Sequence, residues 1–255
     1  MLVYNYRNNH KEKTILLLHG LGGNNSCFKH QLEICNDTYN ILQIDLHGHG
    51  LSKNHKLSNL IETSFDLVCE DVNVVLSILN LEKVDVLSFS LGTMVSNVFI
   101  TLYPEKIDRV IHIGSLMEYS KFVRFSIKLL NELKNYLPYI ILYSIASTVI
   151  MPRYFHIKSR KIFIKEAVKL SQAEFNSWID IISSYYDLYT LESFSDNNIK
   201  KLYLSGEYDI FNKSVVKYCA LDKNSICRII KKAGHVCNVD KYKEVNDCII
   251  QFLKS

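Results

Sequence analysis

Short, continuous apolar runs alternate with amphipathic ones over the first 115 residues. Thr14-Ile15-Leu16-Leu17-Leu18, Tyr39 to Asp45, Val84 to Phe89 and Asp108 to Ile113 are β-type runs with little polar alternation. Strands covered on both faces require that pattern. Leu2 to Tyr6 does alternate and predicts an edge strand. Ser26 to Cys35 has helical spacing. Ile61, Phe65, Val68, Val72, Val75 and Leu79 recur at three and four residues, which predicts an amphipathic helix lying on a sheet. A further helix starts behind Phe89 and ends near Tyr103-Pro104. Strands and helices in this order predict an α/β fold with a parallel sheet and helices on both faces.

The alternation stops at about Leu116. Through Phe194 helical spacing dominates, and Ser171-Gln172-Ala173-Glu174 predicts a capping box that opens a helix through Phe175, Trp178, Ile179 and Ile182. Residues 116–194 are therefore expected to form a helical insertion over the strand ends, with residues 1–115 and 195–255 as the core. Within it, Leu137 to Tyr143 together with Phe122, Phe125, Val149 and Ile150 is strongly apolar. These side chains either roof a pocket or pack the insertion onto the core. Ten Lys and Arg side chains between Lys121 and Lys169 face Glu118, Glu132 and Glu166. Such a surplus would suit an anionic substrate or the peripheral surface of a membrane, and a solvated face accounts for it as well. The βα pattern resumes with a strand at Lys200 to Ser205, a helix at Lys213 to Ala220, a strand at Ile226 to Ile230 and a closing helix that uses Tyr242, Val245, Ile249 and Phe252.

At 255 residues the chain suits one large α/β domain carrying an insertion. A net charge of +4 argues against nucleic acid as a partner, since no basic run is interleaved with aromatics. Seven cysteines without Cys-x-x-Cys spacing, and a start without a charged n-region, point to free thiols and a cytoplasmic protein. The uncharged stretch from Tyr136 to Met151 is broken by Pro138 and is too short to span a bilayer, so no transmembrane segment is expected. His47 and His49 form a pair, but no further ligands lie near them to complete a metal shell.

The stretch with the most chemistry is Val84-Asp85-Val86-Leu87-Ser88-Phe89-Ser90-Leu91-Gly92-Thr93, a strand that enters a Ser-x-Ser-x-Gly turn and then a helix. Such a turn lifts Ser90 Oγ clear of the backbone at a helix N-terminus, where partial positive charge favours an anion. Small residues are needed two positions to either side, and Ser88 and Gly92 meet that need. A capping serine at an ordinary strand-to-helix turn is the plainer reading of the stretch alone. Asp209 and His235 likewise follow predicted parallel strands, at the sheet edge where open α/β folds bind ligands.

The order Ser90, Asp209, His235, with an insertion between the first two, resembles the α/β-hydrolase fold superfamily, specifically a serine-nucleophile hydrolase of the esterase and lipase kind with a helical cap. The His19-Gly20 loop, Asp45 with Gly48-His49-Gly50-Leu51-Ser52, the elbow, Tyr103-Pro104, Gly206-Glu207-Tyr208-Asp209 and Gly234-His235 all carry the resemblance. Ser88 departs from the usual first glycine of the elbow, and His47 stands where an arginine is frequent. The resemblance implies that Ser90 is the nucleophile, His235 the general base and Asp209 the group that holds the imidazole. It implies an oxyanion hole made of the backbone N–H groups of Leu21 and Leu91, and Leu21, Leu91 and Val236 against the substrate. It implies no metal and no organic cofactor. Asp240 is a rival acid that a helix cap explains as well, and Cys27 and Cys237 are expected in the walls of the site.

The expected function is hydrolysis of a small carboxylic ester, or a related thioester or lactone, through an acyl-enzyme. The same three residues would also suit a C–C bond hydrolase, a cofactor-free lyase, or a ligand sensor that keeps the pocket. Epoxide hydrolases and dehalogenases of this fold use an aspartate where this chain has Ser90.

Overall fold

The structure, a computed structural model, describes residues 1–117, 121–189, 194 and 197–254, the side chain of Tyr186 excepted. Glu118 and the junctions of the expected insertion near positions 116 and 194 lie at or outside those limits.

Four strands from the first half of the chain build the sheet's centre. β2 (Thr14–Leu18), β3 (Asn40–Ile44), β4 (Val84–Phe89) and β5 (Ile107–Ile113) are almost wholly buried. β6 (Lys200–Gly206) and β7 (Ser225–Ile230) extend it at one edge, and β1 (Tyr4–Arg7) closes the other, giving the order β1-β3-β2-β4-β5-β6-β7. Among the described strands only β1 runs antiparallel. β1 starts later than the alternation predicts, although Leu2 is buried against the core. The chain crosses from β3 past β2 to β4, so strand order changes direction beside β2 and β4. Crevices for ligands open at such switch points.

The helices of the core are α1 (Lys29–Cys35), α2 (Phe65–Ile78) and α3 (Leu91–Leu102), with the later helices of the chain described below. α2 is capped by Ser64 Oγ, which accepts from Leu67 N at 3.2 Å. Its apolar stripe begins at Phe65, not at Ile61, which is fully exposed in the turn before the cap. Two apolar clusters form, one on each face of the sheet. Leu16, Leu18, Val84 and Val86 point to one with α2 and α3. Ile15, Leu17, Leu87 and Phe89 point to the other with the chain's last helix.

Between β5 and β6 the described residues include the helices α4 (Lys121–Leu133), α5 (Tyr139–Ile150), α6 (Ile157–Ala167) and α7 (Gln172–Leu188). Several hydrogen bonds tie them to loops beyond the C-terminal ends of the strands. Tyr143 OH donates to Leu21 O (2.9 Å), Trp178 Nε1 donates to His47 O (3.0 Å), and Leu57 N donates to Glu174 Oε1 (2.9 Å). Half of the expected capping box forms: Ser171 Oγ accepts from Glu174 N at 3.2 Å, while the Glu174 carboxylate turns away to Leu57 N and Ser58 N. An N–H buried in the neighbouring loop outcompetes the helix's own end for that carboxylate.

The expected apolar roof divides. Leu142 and Tyr143 are buried, but Phe122, Phe125 and Ile141 are exposed to solvent. Periodicity marks them apolar and cannot tell which side has a neighbour. No helix among the described residues is long and apolar enough to cross a membrane. After β6 come α8 (Asn212–Leu221), the short α9 (Cys237–Asp240) and α10 (Tyr242–Lys254), whose Val245, Ile249 and Phe252 are buried as the spacing predicts.

Candidate active site

Ser90 sits between β4 and α3 at φ 51° and ψ −117°. This is a strained region for a residue with a Cβ, and it persists only where the surroundings hold it. Here Ser90 N donates to Ile113 O (3.0 Å), and Ser90 O accepts from Thr93 N (2.8 Å) and Thr93 Oγ1 (2.7 Å). The small residues the turn needs are explained by what surrounds them. A Cβ on Gly92 would lie 2.1 Å from Leu18 O, so any side chain there would push α3 off β2. Ser88 is fully buried, with its hydroxyl donating to Ile111 O at 3.4 Å, and so fits where glycine is usual.

Ser90 Oγ lies 2.9 Å from His235 Nε2, and His235 Nδ1 lies 2.9 Å from Asp209 Oδ2. A carboxylate oxygen only accepts, so Nδ1 carries the proton and Nε2 has a free lone pair toward the hydroxyl. Asp209 Oδ1 accepts from Phe211 N (3.1 Å), which uses the carboxylate's other oxygen and fixes its rotation. Both Asp209 and His235 are buried. Phe89 and Phe211 pack on the imidazole with ring centroids 5.5 and 5.8 Å away.

The loops that carry Asp209 and His235 leave the adjacent strands β6 and β7 and are tied together. Tyr208 N donates to Ala233 O (2.9 Å) and Lys232 N to Glu207 Oε2 (2.8 Å). Gly114, with φ +57°, passes the His235 ring so closely that a Cβ would lie 3.1 Å from it. Asp240, the rival acid, is engaged elsewhere, accepting from the Ser159 hydroxyl of α6. Burial pushes the thiols of Cys27 and Cys237 far up, so both remain protonated wall residues.

Gly20 stands against the elbow: a Cβ there would come within 3.1 Å of Ser90 Cβ. The next N–H, on Leu21, and the N–H of Leu91 at the first position of α3 make no hydrogen bond among the described residues. Two free backbone donors beside the hydroxyl suit an oxyanion. Val236, just past His235, is buried in the apolar cluster that also holds Phe89.

Sequence reasoning overlooked what holds this loop, namely two buried histidines. His19 Nδ1 donates to Gly20 O (2.9 Å) while its Nε2 accepts from Leu46 N (2.9 Å). His49 Nε2 accepts from Gly22 N (2.9 Å) while its Nδ1 donates to His47 O (2.8 Å). Burial pulls their pKa values down to about 4 and about 3, so each is neutral with one donor and one acceptor, the form these bonds need. The sequence shows a glycine-rich loop at both places; for His19, a histidine directly after a buried strand was the available signal. His47 pairs with Asp71 at 2.8 Å, which holds that carboxyl below its usual range. Among the described residues no group of three or more His, Cys, Asp or Glu is placed to hold a metal ion.

The model of the alpha/beta hydrolase fold family matches residues 13–139. A Danio rerio relative named a serine hydrolase-like protein is 28% identical over 99 residues, 39% of this chain and 30% of that protein. A Haemophilus influenzae protein carrying an esterase/lipase name is 32% identical over 109 residues, 42% of this chain and 36% of that protein. The chain spans about a third of the length of these two relatives. In three dimensions it is similar to a carboxylesterase structure from the thaumarchaeon Nitrososphaera gargenis, with a TM-score of 0.82 and 17% identity over 99% of this chain and 94% of that one. The chain belongs to the α/β-hydrolase fold superfamily.

Proposed function

We propose that this protein is a serine hydrolase that cleaves a small carboxylic ester, or a related thioester or lactone, through an acyl-enzyme on Ser90. The observation that carries the reading is the hydrogen-bonded chain from Ser90 Oγ through the His235 imidazole to Asp209, with 2.9 Å at each step. His235 Nε2 takes the hydroxyl proton as Oγ attacks the acyl carbon, then returns it to the departing alkoxide or thiolate. Water, deprotonated by the same nitrogen, releases the acid. Asp209 stabilises the imidazolium formed in each half. The N–H groups of Leu21 and Leu91 meet the tetrahedral oxyanion, and a donor of this kind typically contributes about 3 kcal/mol to the barrier. The substrate lies against Leu21, Leu91 and Val236. No metal or organic cofactor takes part in these steps. Helices α4–α7 act as a cap, since they reach the site's own loop through Tyr143.

The test is turnover of a p-nitrophenyl ester panel graded by acyl length, repeated with thioesters and lactones. Replacing Ser90 by Ala should lower kcat by at least about a thousandfold and abolish labelling by a fluorophosphonate. Turnover in S90A equal to that of the parent would overturn the assignment.

A further inference from the structure

α4 carries more apolar surface than the protein covers. At 100° per residue its apolar side chains fill a continuous arc of roughly 200°, interrupted by Ser126. One edge of the arc, Val123, Ile127 and Leu130, packs against the core. The other edge, Phe122, Phe125 and Leu129, recurs at i, i+3 and i+7 and stands in solvent, with Phe122 61% and Phe125 64% exposed. Lys121, Arg124 and Lys128, all exposed, begin the polar side of the helix directly beside that edge, with Glu132 as its acid. None of these three bases enters an ion pair among the described residues.

The pattern repeats nearby. α5 has no charged side chain on any face, and its Ile141 and Ile145 are exposed. α6, which packs against α5, exposes Ile157 and Ile162 among Lys158, Lys161 and Lys165.

Charge decides what such a face can meet. A two-fold contact with a second copy would bring the bases of both copies together around the buried stripes, where like charges repel. An anionic bilayer offers the complement: an acyl boundary for the aromatic and aliphatic side chains, and phosphates at the depth of the lysines. We infer that this outer face of the inserted helices docks on an anionic lipid surface, with Phe122, Phe125 and Leu129 inserted and Lys121, Arg124 and Lys128 on the headgroup phosphates. The inference does not depend on the chemistry at Ser90.

Flotation of the full chain with vesicles tests it. Vesicles of phosphatidylcholine with phosphatidylglycerol should bind at least tenfold more tightly than phosphatidylcholine alone. F122S/F125S should bind the anionic vesicles at least tenfold more weakly. K121Q/R124Q/K128Q should lose on the order of a hundredfold, at about fivefold per base. Both variants should keep the parent's thermal midpoint within a few degrees and its rate on a short, water-soluble ester, which separates this result from any failure of the Ser90 assignment. Equal binding to neutral vesicles would overturn the inference. So would variants that bind like the parent, or a dimer in light scattering that both sets of substitutions dissolve.

Discussion

The loops around Ser90 and the helices inserted above them differ in how their polar groups are used. Around Ser90 the side chains have defined partners: His235 has two, the Asp209 carboxylate uses both oxygens, and His19 and His49 each donate once and accept once. The inserted helices reach the strand-end loops through Tyr143, Glu166, Trp178 and Glu174, and on their outer side turn apolar and basic side chains to water. A buried group without a partner costs about 1–3 kcal/mol, so the deep part of the molecule admits few arrangements. An exposed apolar stripe carries no such penalty and is free to serve another surface. The same chain thus holds a rigid arrangement for chemistry and an outer face open to association.

The largest test of this contrast is at Asp209. Asn keeps the shape but offers its amide N–H₂ or a neutral oxygen to His235 Nδ1, and so allows the wrong tautomer. D209N should lower kcat about 10⁴-fold on a p-nitrophenyl ester with little change in thermal midpoint. A loss below tenfold would mean that the carboxylate does not set the imidazole.

Acid should reach the buried loops before the exposed helices. His19 and His49 have folded pKa values of about 4 and about 3 against 6.5 when unfolded, so the unfolded chain takes up protons first. Their contribution is complete above pH 6.5 and is lost as pH falls from 6.5 through 4 and then 3. At pH 4.5 the deficit is about 3 kcal/mol per histidine. Urea midpoints measured from pH 7 to 4.5 should show this slope, and H49Q should flatten it. A slope unchanged in H49Q would assign the acid sensitivity to other groups.

Glu174 tests the join between the two regions. E174A leaves Leu57 N and Ser58 N without an acceptor and should cost about 2 kcal/mol in urea unfolding, with the ester rate changed less than threefold. The smallest effect belongs to Tyr143. Y143F removes one hydrogen bond to Leu21 O, worth about 1 kcal/mol, and should lower kcat/KM by no more than about fivefold with no change in anionic vesicle binding. A hundredfold loss would show that the inserted helices set the oxyanion loop itself.

Much of the architecture was determined locally. Ile15–Leu18 is apolar at every position and Val84–Phe89 at all but Asp85 and Ser88, because both faces of the sheet are covered, and that pattern survives in one dimension. The elbow is legible locally as Ser88, Ser90 and Gly92 within five residues, although the neighbours that demand a small residue at Gly92, above all Leu18 O, come from another strand. Asp209 and His235 could be singled out because each follows a strand in a fixed order. Three matters were decided only in the folded chain. Whether Phe122 faces the core or water depends on what lies beside α4, which periodicity does not record. The Glu174 carboxylate serves residues 57 and 58, more than a hundred positions away, instead of its own helix end. His19 and His49 gained their task when the loops after β2 and β3 met, because a buried imidazole must find a donor and an acceptor wherever the topology brings them.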